Sequence, residues 1–483
     1  MKYKIILFLI FTLLLINHLC GSNSQVTIES KAYNVFERVL AVADKSGKLY
    51  PRLEKIVDTD KLVAYADQSG SIWLSKKTIQ LCYKDVCQAV GDARLAFLFA
   101  HEMTHLARDH FALKKMLPPE LYCEKKKNLE LDADANALII IAMAKYNPNF
   151  IFDPKHNSFI HIWLDHEYKN AKTANHCYPT PDERLHNLEN EIKKVQNTLD
   201  LFNTGLRLYQ VGMYDDALQF FIKFSNIFPC REVNNNIGLI YYQKAIESLA
   251  KYNSQKAYQF MLSTDLDTTT LADIFRQTSV QTKGNDESAY NQFIINLRLA
   301  RNRFKLANEQ DQTYLPAYIN LSSVEILNKE FDKASFYLTE CHKKCKNQQS
   351  HEYYLYANNK ALLLYITASK ETDSKSRQNQ IKQSIDLLKN GINKNTTLSE
   401  LYYNTGAILF EQGNTKAANE YWSKYILLNP AGIYSLIIKE KLDMRKLTTR
   451  QNLPINHPDP EPIQPGSPYN NKTDRSKSIC IAN

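Results

Sequence analysis

The chain has 483 residues, of which 44% are hydrophobic, enough apolar material for more than one core. Its formal net charge of +9 is spread along the chain. The basic runs at Lys125-Lys126-Lys127 and Lys343-Lys344 are too short for a nucleic-acid-binding stripe, so no nucleic-acid partner is expected.

Met1 to Leu19 reads as an export signal, with a signal peptide assigned to residues 1–22. Lys2 and Lys4 give a basic start, Ile5 to Ile16 is almost wholly apolar, and Gly21-Ser22 offers small residues for cleavage. The apolar run is short for a membrane-spanning helix, and no later segment is long enough. Asn17-His18-Leu19 is a poor lipid-attachment sequence ahead of Cys20. The expectation is an exported chain in the periplasm, with peripheral membrane contact at most. Beyond the signal eight cysteines remain (Cys82, Cys87, Cys123, Cys177, Cys230, Cys341, Cys345 and Cys480). That even number permits disulfides without fixing their pairing.

Gly70-Ser71-Ile72-Trp73-Leu74-Ser75 alternates as a strand should. A helix then begins, running through Leu95 to Ala100 into His101-Glu102-Met103-Thr104-His105 and on through Arg108-Asp109-His110-Phe111 to the stop at Pro118-Pro119. Histidines four apart lie one turn above each other, so both imidazoles reach one metal ion. The intervening Glu102 stands beside that metal, placed to take a proton from a bound water. A second helical pattern from Glu120 to Asn147 carries Glu130 and Asp134 on one face, with Asp132 turned away. His101, His105 and Glu130 would bind one Zn2+ per chain and leave a position open for water, while Asp134 would orient a ligand imidazole.

At these residues the chain resembles the gluzincin metallopeptidases of the CAAX-prenyl-endopeptidase type, over about Leu62 to Leu188. The resemblance implies a mostly helical α+β zinc metallopeptidase domain with a small edge sheet. It also implies that Gly70, Ser71, Ile72, Trp73 and Leu74 form the edge along which a peptide substrate pairs. In that family a His-Pro comes next, with an arginine six residues after the histidine. Here the stretch reads His176-Cys177-Tyr178-Pro179 and on to Arg184, with Tyr178 where the histidine is expected. Arg184, helped by Tyr178, is expected to stabilise the oxyanion.

Leu185, Leu188, Ile192, Val195 and Leu199 are spaced 3, 4, 3, 4, predicting a helix that joins the peptidase to the second half of the chain. Gly205, Gly212, Ala217 and Pro229 then share their spacing with Gly406, Gly413, Ala418 and Pro430. This pattern resembles tetratricopeptide repeats and implies an all-α solenoid, with Tyr214, Phe221, Trp422 and Tyr425 filling the helix interfaces. A weaker copy surrounds Phe331 and Ala334, and a degenerate one covers Tyr353 to Ile392. Another begins near Gly238 and resumes around Ala300, Phe304 and Ala307 after a polar insertion at about Ser263 to Ser288. Six prolines between Pro454 and Pro468 mark a disordered tail.

The expected organisation is a signal at 1–22, a metallopeptidase domain at 23–198, a repeat array at 199–440 and a tail at 441–483. A peptidase domain followed by repeats behind an export signal resembles the repeat-bearing metallopeptidases of bacterial envelopes, and the resemblance implies a zinc metalloendopeptidase of envelope protein quality control or outer-membrane protein assembly. Its array would bind protein partners, outer-membrane assembly machinery among them. The alternative is a chaperone or adaptor whose array binds clients beside a mostly closed metal site.

Overall fold

The computed structural model describes residues 27–45, 47, 49–152, 158–172, 178–268, 287–395 and 397–451. The signal segment, His176, Cys177, the later part of the insertion and the proline-rich tail lie outside them. The described residues up to Ser435 form one compact unit and those from Leu436 to Gln451 belong to a second. The described part of the second is helical to Gln451, so helix continues past the expected start of the tail at 441. Among the described residues no helix is long and apolar enough to cross a membrane.

The first helix, α1 (Ile28–Leu40), starts where the Thr27 hydroxyl accepts the Ser30 N–H. It buries Ala32, Val35, Phe36, Val39 and Leu40, the stripe a helix sets against a core. Strands β1 (Arg52–Leu53), β2 (Ala64–Ala66) and β3 (Ser71–Leu74) form a sheet in the order β1-β3-β2. β3 runs parallel to β1 and antiparallel to β2, with Tyr65 opposite Trp73. The segment expected to be an open edge is therefore central, and both of its sides are paired. Ile72 and Leu74 face the core as the alternation requires, but Ser71 and Ser75 are buried too. The Ser71 hydroxyl donates to Glu54, and the Ser75 hydroxyl to the Lys61 carbonyl.

Helix α2 (Lys76–Cys82) leads to α3 (Gln88–Ala107), which carries the histidine motif. Every residue from Ala93 to Thr104 is buried, so this helix is enclosed rather than amphipathic. It does not continue as the sequence suggests. Asp109 takes a left-handed φ of 50°, and a short α4 (His110–Met116) restarts beyond the break. Pro118-Pro119 then opens α5 (Pro119–Met143), followed by a 3-10 turn (Pro148–Ile151) and α6 (Ser158–Lys172).

Helix α7 (Pro181–Gln210) crosses the expected domain boundary without interruption. It begins with a capping box between Thr180 and Glu183, which fixes Arg184 in its first turn. It buries Leu188, Val195, Phe202 and Leu206, so the predicted joining helix is present and rigidly docked. The array continues with α8 (Tyr214–Ile227), α9 (Arg231–Ala257), α10 (Glu287–Gln310), α11 (Leu315–Leu327), α12 (Phe331–Lys344), α13 (His351–Ala368), α14 (Ser374–Lys394), α15 (Ser399–Glu411), α16 (Thr415–Leu428) and α17 (Ile433–Gln451).

The end of α7 pairs with α8, and α9/α10, α11/α12, α13/α14 and α15/α16 pair in turn. This is a tetratricopeptide-like helical-repeat architecture. Small residues let each pair approach: a Cβ on Gly205 would lie 2.8 Å from the Phe221 ring, and one on Gly238 2.6 Å from Phe304. Trp422 and Tyr425 are fully enclosed, as expected of interface fillers.

Candidate metal centre

Helices α3 and α5 bring His101, His105 and Glu130 together with ligating atoms within 4.8 Å of one another. His101 Nε2 lies 3.0 Å from His105 Nε2 and 3.3 Å from Glu130 Oε2, and His105 Nε2 lies 3.6 Å from the same oxygen. Ligands bound to tetrahedral zinc at about 2.0–2.1 Å sit about 3.3 Å apart, so this triangle fits a zinc ion. All three come from rigid helices, and none needs to change rotamer to converge.

Each imidazole is held from behind. His101 Nδ1 lies 2.9 Å from Asp134 Oδ1, which turns its Nε2 toward the centre. His105 Nδ1 lies 2.8 Å from His110 Nδ1. The break at Asp109 is what folds His110 back onto His105, and the continuous helix expected from the sequence would have hidden this partner. Burial, with the neighbouring His105 and Arg108, lowers His110 to about 3. A neutral His110 can accept a proton from His105 Nδ1, an arrangement that leaves His105 Nε2 open as a ligand. Burial opposes a proton on His101, yet Asp134 and Glu130 outweigh it and raise the imidazole to about 10. The surroundings thus call for positive charge at this point, which a divalent cation supplies as well as a proton does. Burial also pushes Glu130 up, but the two imidazoles hold it well below the usual carboxylate range.

Glu102 is buried beside this triangle, and its Oε2 accepts the Ala66 N–H at 2.7 Å. Burial raises its carboxyl above the ordinary value, against the lowering effect of both histidines. A carboxyl so placed can take up and return a proton. The Ala66 N–H that holds it points away from β3, so the outer edge of β2 runs alongside Glu102.

Arg184 does not stand where the sequence pattern suggests. Its Nε and Nη2 donate to Asp134 Oδ2 and Oδ1 at 2.8 and 2.6 Å, and the guanidinium is fully buried. It is committed to the carboxylate that orients His101, so it positions the site instead of facing an oxyanion. Its Nη1 lies 3.8 Å from Glu167. The Tyr178 hydroxyl lies 2.9 Å from Glu130 Oε2 and 3.0 Å from Glu167 Oε2, so its one proton serves either carboxylate. Burial raises Glu167 to about 7. Glu167 comes from α6 and is invisible to sequence reasoning, since nothing in its local spacing marks it. Asp132 is turned away as expected and pairs with Arg108, which also donates to Asn136. Of the expected substrate segment, Gly70 makes the turn and Trp73 stacks on Tyr65 with its Nε1 on Asp67. None of Gly70 to Leu74 offers a free edge.

Cys82, Cys87, Cys230, Cys341 and Cys345 are free thiols, and Cys123 is disulfide-bonded.

No protein-family model matches the chain, and no curated protein matches it. Solved structures similar to it include a monomeric IFIT1 mutant with Gppp-AAAA, at 14% identity over 72% of each chain and a TM-score of 0.29. The human IFIT1 dimer with m7Gppp-AAAA matches at 13% identity over 72% of this chain and 73% of that one, with a TM-score of 0.28. The APC/C hetero-tetramer Cut9-Hcn1 matches at 14% identity over 76% and 66%, with a TM-score of 0.31. At such scores these likenesses carry no argument about function, and the repeat architecture rests on the helix pairs described above.

Proposed function

We propose that this chain is a zinc-dependent endopeptidase whose helical array engages polypeptide partners. The observation that carries the reading is the enclosed triangle of His101, His105 and Glu130 with Glu102 beside it. Zinc, when bound there, supplies a Lewis acid that polarises a carbonyl and acidifies water. The protein's own groups do the rest. Asp134 and His110 hold the two imidazoles, and Arg184 holds Asp134. Glu102 takes a proton from water and delivers it to the leaving amine. A substrate strand pairs with the outer edge of β2, where Glu102 holds the Ala66 N–H in the free chain, and not with β3. Backbone pairing of that kind gives binding with little sequence preference.

The chain resembles the beta-barrel assembly-enhancing protease of bacterial envelopes in joining this motif set to repeats behind an export signal. On that resemblance we place it in the periplasm, in quality control or assembly of outer-membrane proteins.

One observation favours the chaperone or adaptor alternative. Tyr178 caps the same Glu130 oxygen that faces both imidazoles, a contact suited to a mostly closed site. Incubating the full chain with a permanently unfolded polypeptide separates the readings. Cleavage that a chelator abolishes and zinc restores is the expected result. Binding without cleavage at saturating zinc would reject the peptidase.

A further inference from the structure

The described part of the insertion that splits the second repeat does not loop away from the array. Residues 261–268 run without regular secondary structure, fastened to asparagines at every second residue. At Met261 the N–H donates to Asn404 Oδ1 (2.9 Å), and the carbonyl accepts from Asn404 Nδ2 (2.8 Å) and Asn358 Nδ2 (3.0 Å). At Ser263 the N–H donates to Asn359 Oδ1 (2.8 Å), and the carbonyl accepts from Asn359 Nδ2 (3.0 Å) and the Ser323 hydroxyl (2.7 Å). Asp265 is held the same way by Asn320 (2.8 and 3.0 Å), with Asn235 Nδ2 also on its carbonyl (2.9 Å). Asp267 is held by Asn236 (3.0 and 2.9 Å).

The geometry is that of strand recognition. A residue in an extended chain points its own N–H and C=O to one side, and its neighbours point theirs to the other. The asparagine amide carries the same donor–acceptor pair as a peptide unit, so each rung offers what an adjacent strand would offer. It reads main chain and is indifferent to sequence.

The asparagines also recur by position. Asn236, Asn320, Asn359 and Asn404 stand in α9, α11, α13 and α15, two residues ahead of the small residues Gly238, Ser322, Ala361 and Gly406. Asn203 holds that position in α7, ahead of Gly205. The amides of Asn236, Asn320, Asn359 and Asn404 are buried, and a buried amide destabilises the fold unless a partner satisfies it. Helix packing alone would be served by apolar residues. Beside the strap lies a cavity of about 990 Å³, walled by Tyr252, Tyr290, Phe331 and Tyr365 with Phe260 and Leu266 of the strap itself. There is room for an incoming chain to engage before the strap leaves.

We infer that the asparagine-lined face of the array is a binding site for extended polypeptide, read through its backbone, and that residues 261–267 are its resident occupant. A client displaces them with a segment of the same extended form carrying apolar side chains at alternate positions, as Phe260, Leu262 and Leu266 do. This inference rests on the array as the partner-binding part of the proposed function and not on the metal centre.

The test uses the full chain with residues 259–267 replaced by an equal length of Gly and Ser, and a labelled synthetic peptide spanning Tyr258 to Thr268. The replaced chain binds the peptide at least about tenfold more tightly than the natural chain does. Asn359→Ala in that background weakens binding by roughly tenfold, because it removes a paired donor and acceptor. A folded replaced chain that ignores the peptide overturns the inference. Should the replaced chain not fold, hydrogen exchange on the natural chain decides. Saturation with a reduced, alkylated polypeptide should deprotect the Met261, Ser263, Asp265 and Asp267 amides, and unchanged protection overturns the inference. A client that binds and is cleaved while those amides stay protected removes the ladder and leaves the peptidase reading standing.

Discussion

Arg184→Met separates a positioning role from a catalytic one. The guanidinium and Asp134 are both fully enclosed and joined by two hydrogen bonds of 2.8 and 2.6 Å. Replacing Arg184 with an apolar residue of similar reach leaves Asp134 buried without its two guanidinium hydrogen bonds and with the His101 imidazole alone against it. Breaking such a pair costs about 3–5 kcal/mol. Asp134 would also lose its fixed place behind His101, and loss of such a supporting contact weakens metal binding by about 10–100-fold. Arg184→Lys keeps the charge but not the fork, so it should fall between. The assay is paired: denaturant midpoint, and zinc competition against a chromophoric chelator, on the same preparations. Natural stability and zinc affinity with turnover alone reduced would refute the positioning role and return Arg184 to the oxyanion.

Tyr178→Phe removes the hydroxyl shared by Glu130 and Glu167 and should lower zinc affinity by about tenfold; unchanged affinity would show that the hydroxyl does not support the ligand set. Burial and the neighbouring Arg231 lower Lys45 to about 7 in the folded chain, against about 10.4 when unfolded. Between these values the unfolded chain holds more protons, so stability should rise as pH increases through about 7 toward 10. Lys45→Met should flatten that rise when denaturant midpoints at pH 6 and pH 9 are compared, and an undiminished slope would exclude Lys45 as its source.

What the sequence disclosed was whatever repeats at short range. The spacing of His101 and His105, of Glu130 and Asp134, and of the leucines entering α7 is a helical period, and each helix formed where its period lies. What it concealed depends on long-range placement. Strand order put β3 inside the sheet, which no property of residues 70–74 announces. One left-handed residue, Asp109, broke a helix whose composition favours continuation and delivered His110 to His105. Glu167 reaches the centre only because α6 lies against α7. The segment at 263–288 reads only as a polar insertion because the asparagines that bind its described part are scattered from Asn235 to Asn359. Their common place in the repeats becomes visible only once the helices are stacked.

Zinc content with turnover on Glu102→Gln decides whether zinc and Glu102 together hydrolyse peptide bonds. The amide occupies the same space and can still meet the Ala66 N–H, but it cannot take up a proton. Both proteins should hold one zinc per chain, with cleavage lost in the variant alone. Cleavage at the natural rate by Glu102→Gln with zinc in place would contradict this.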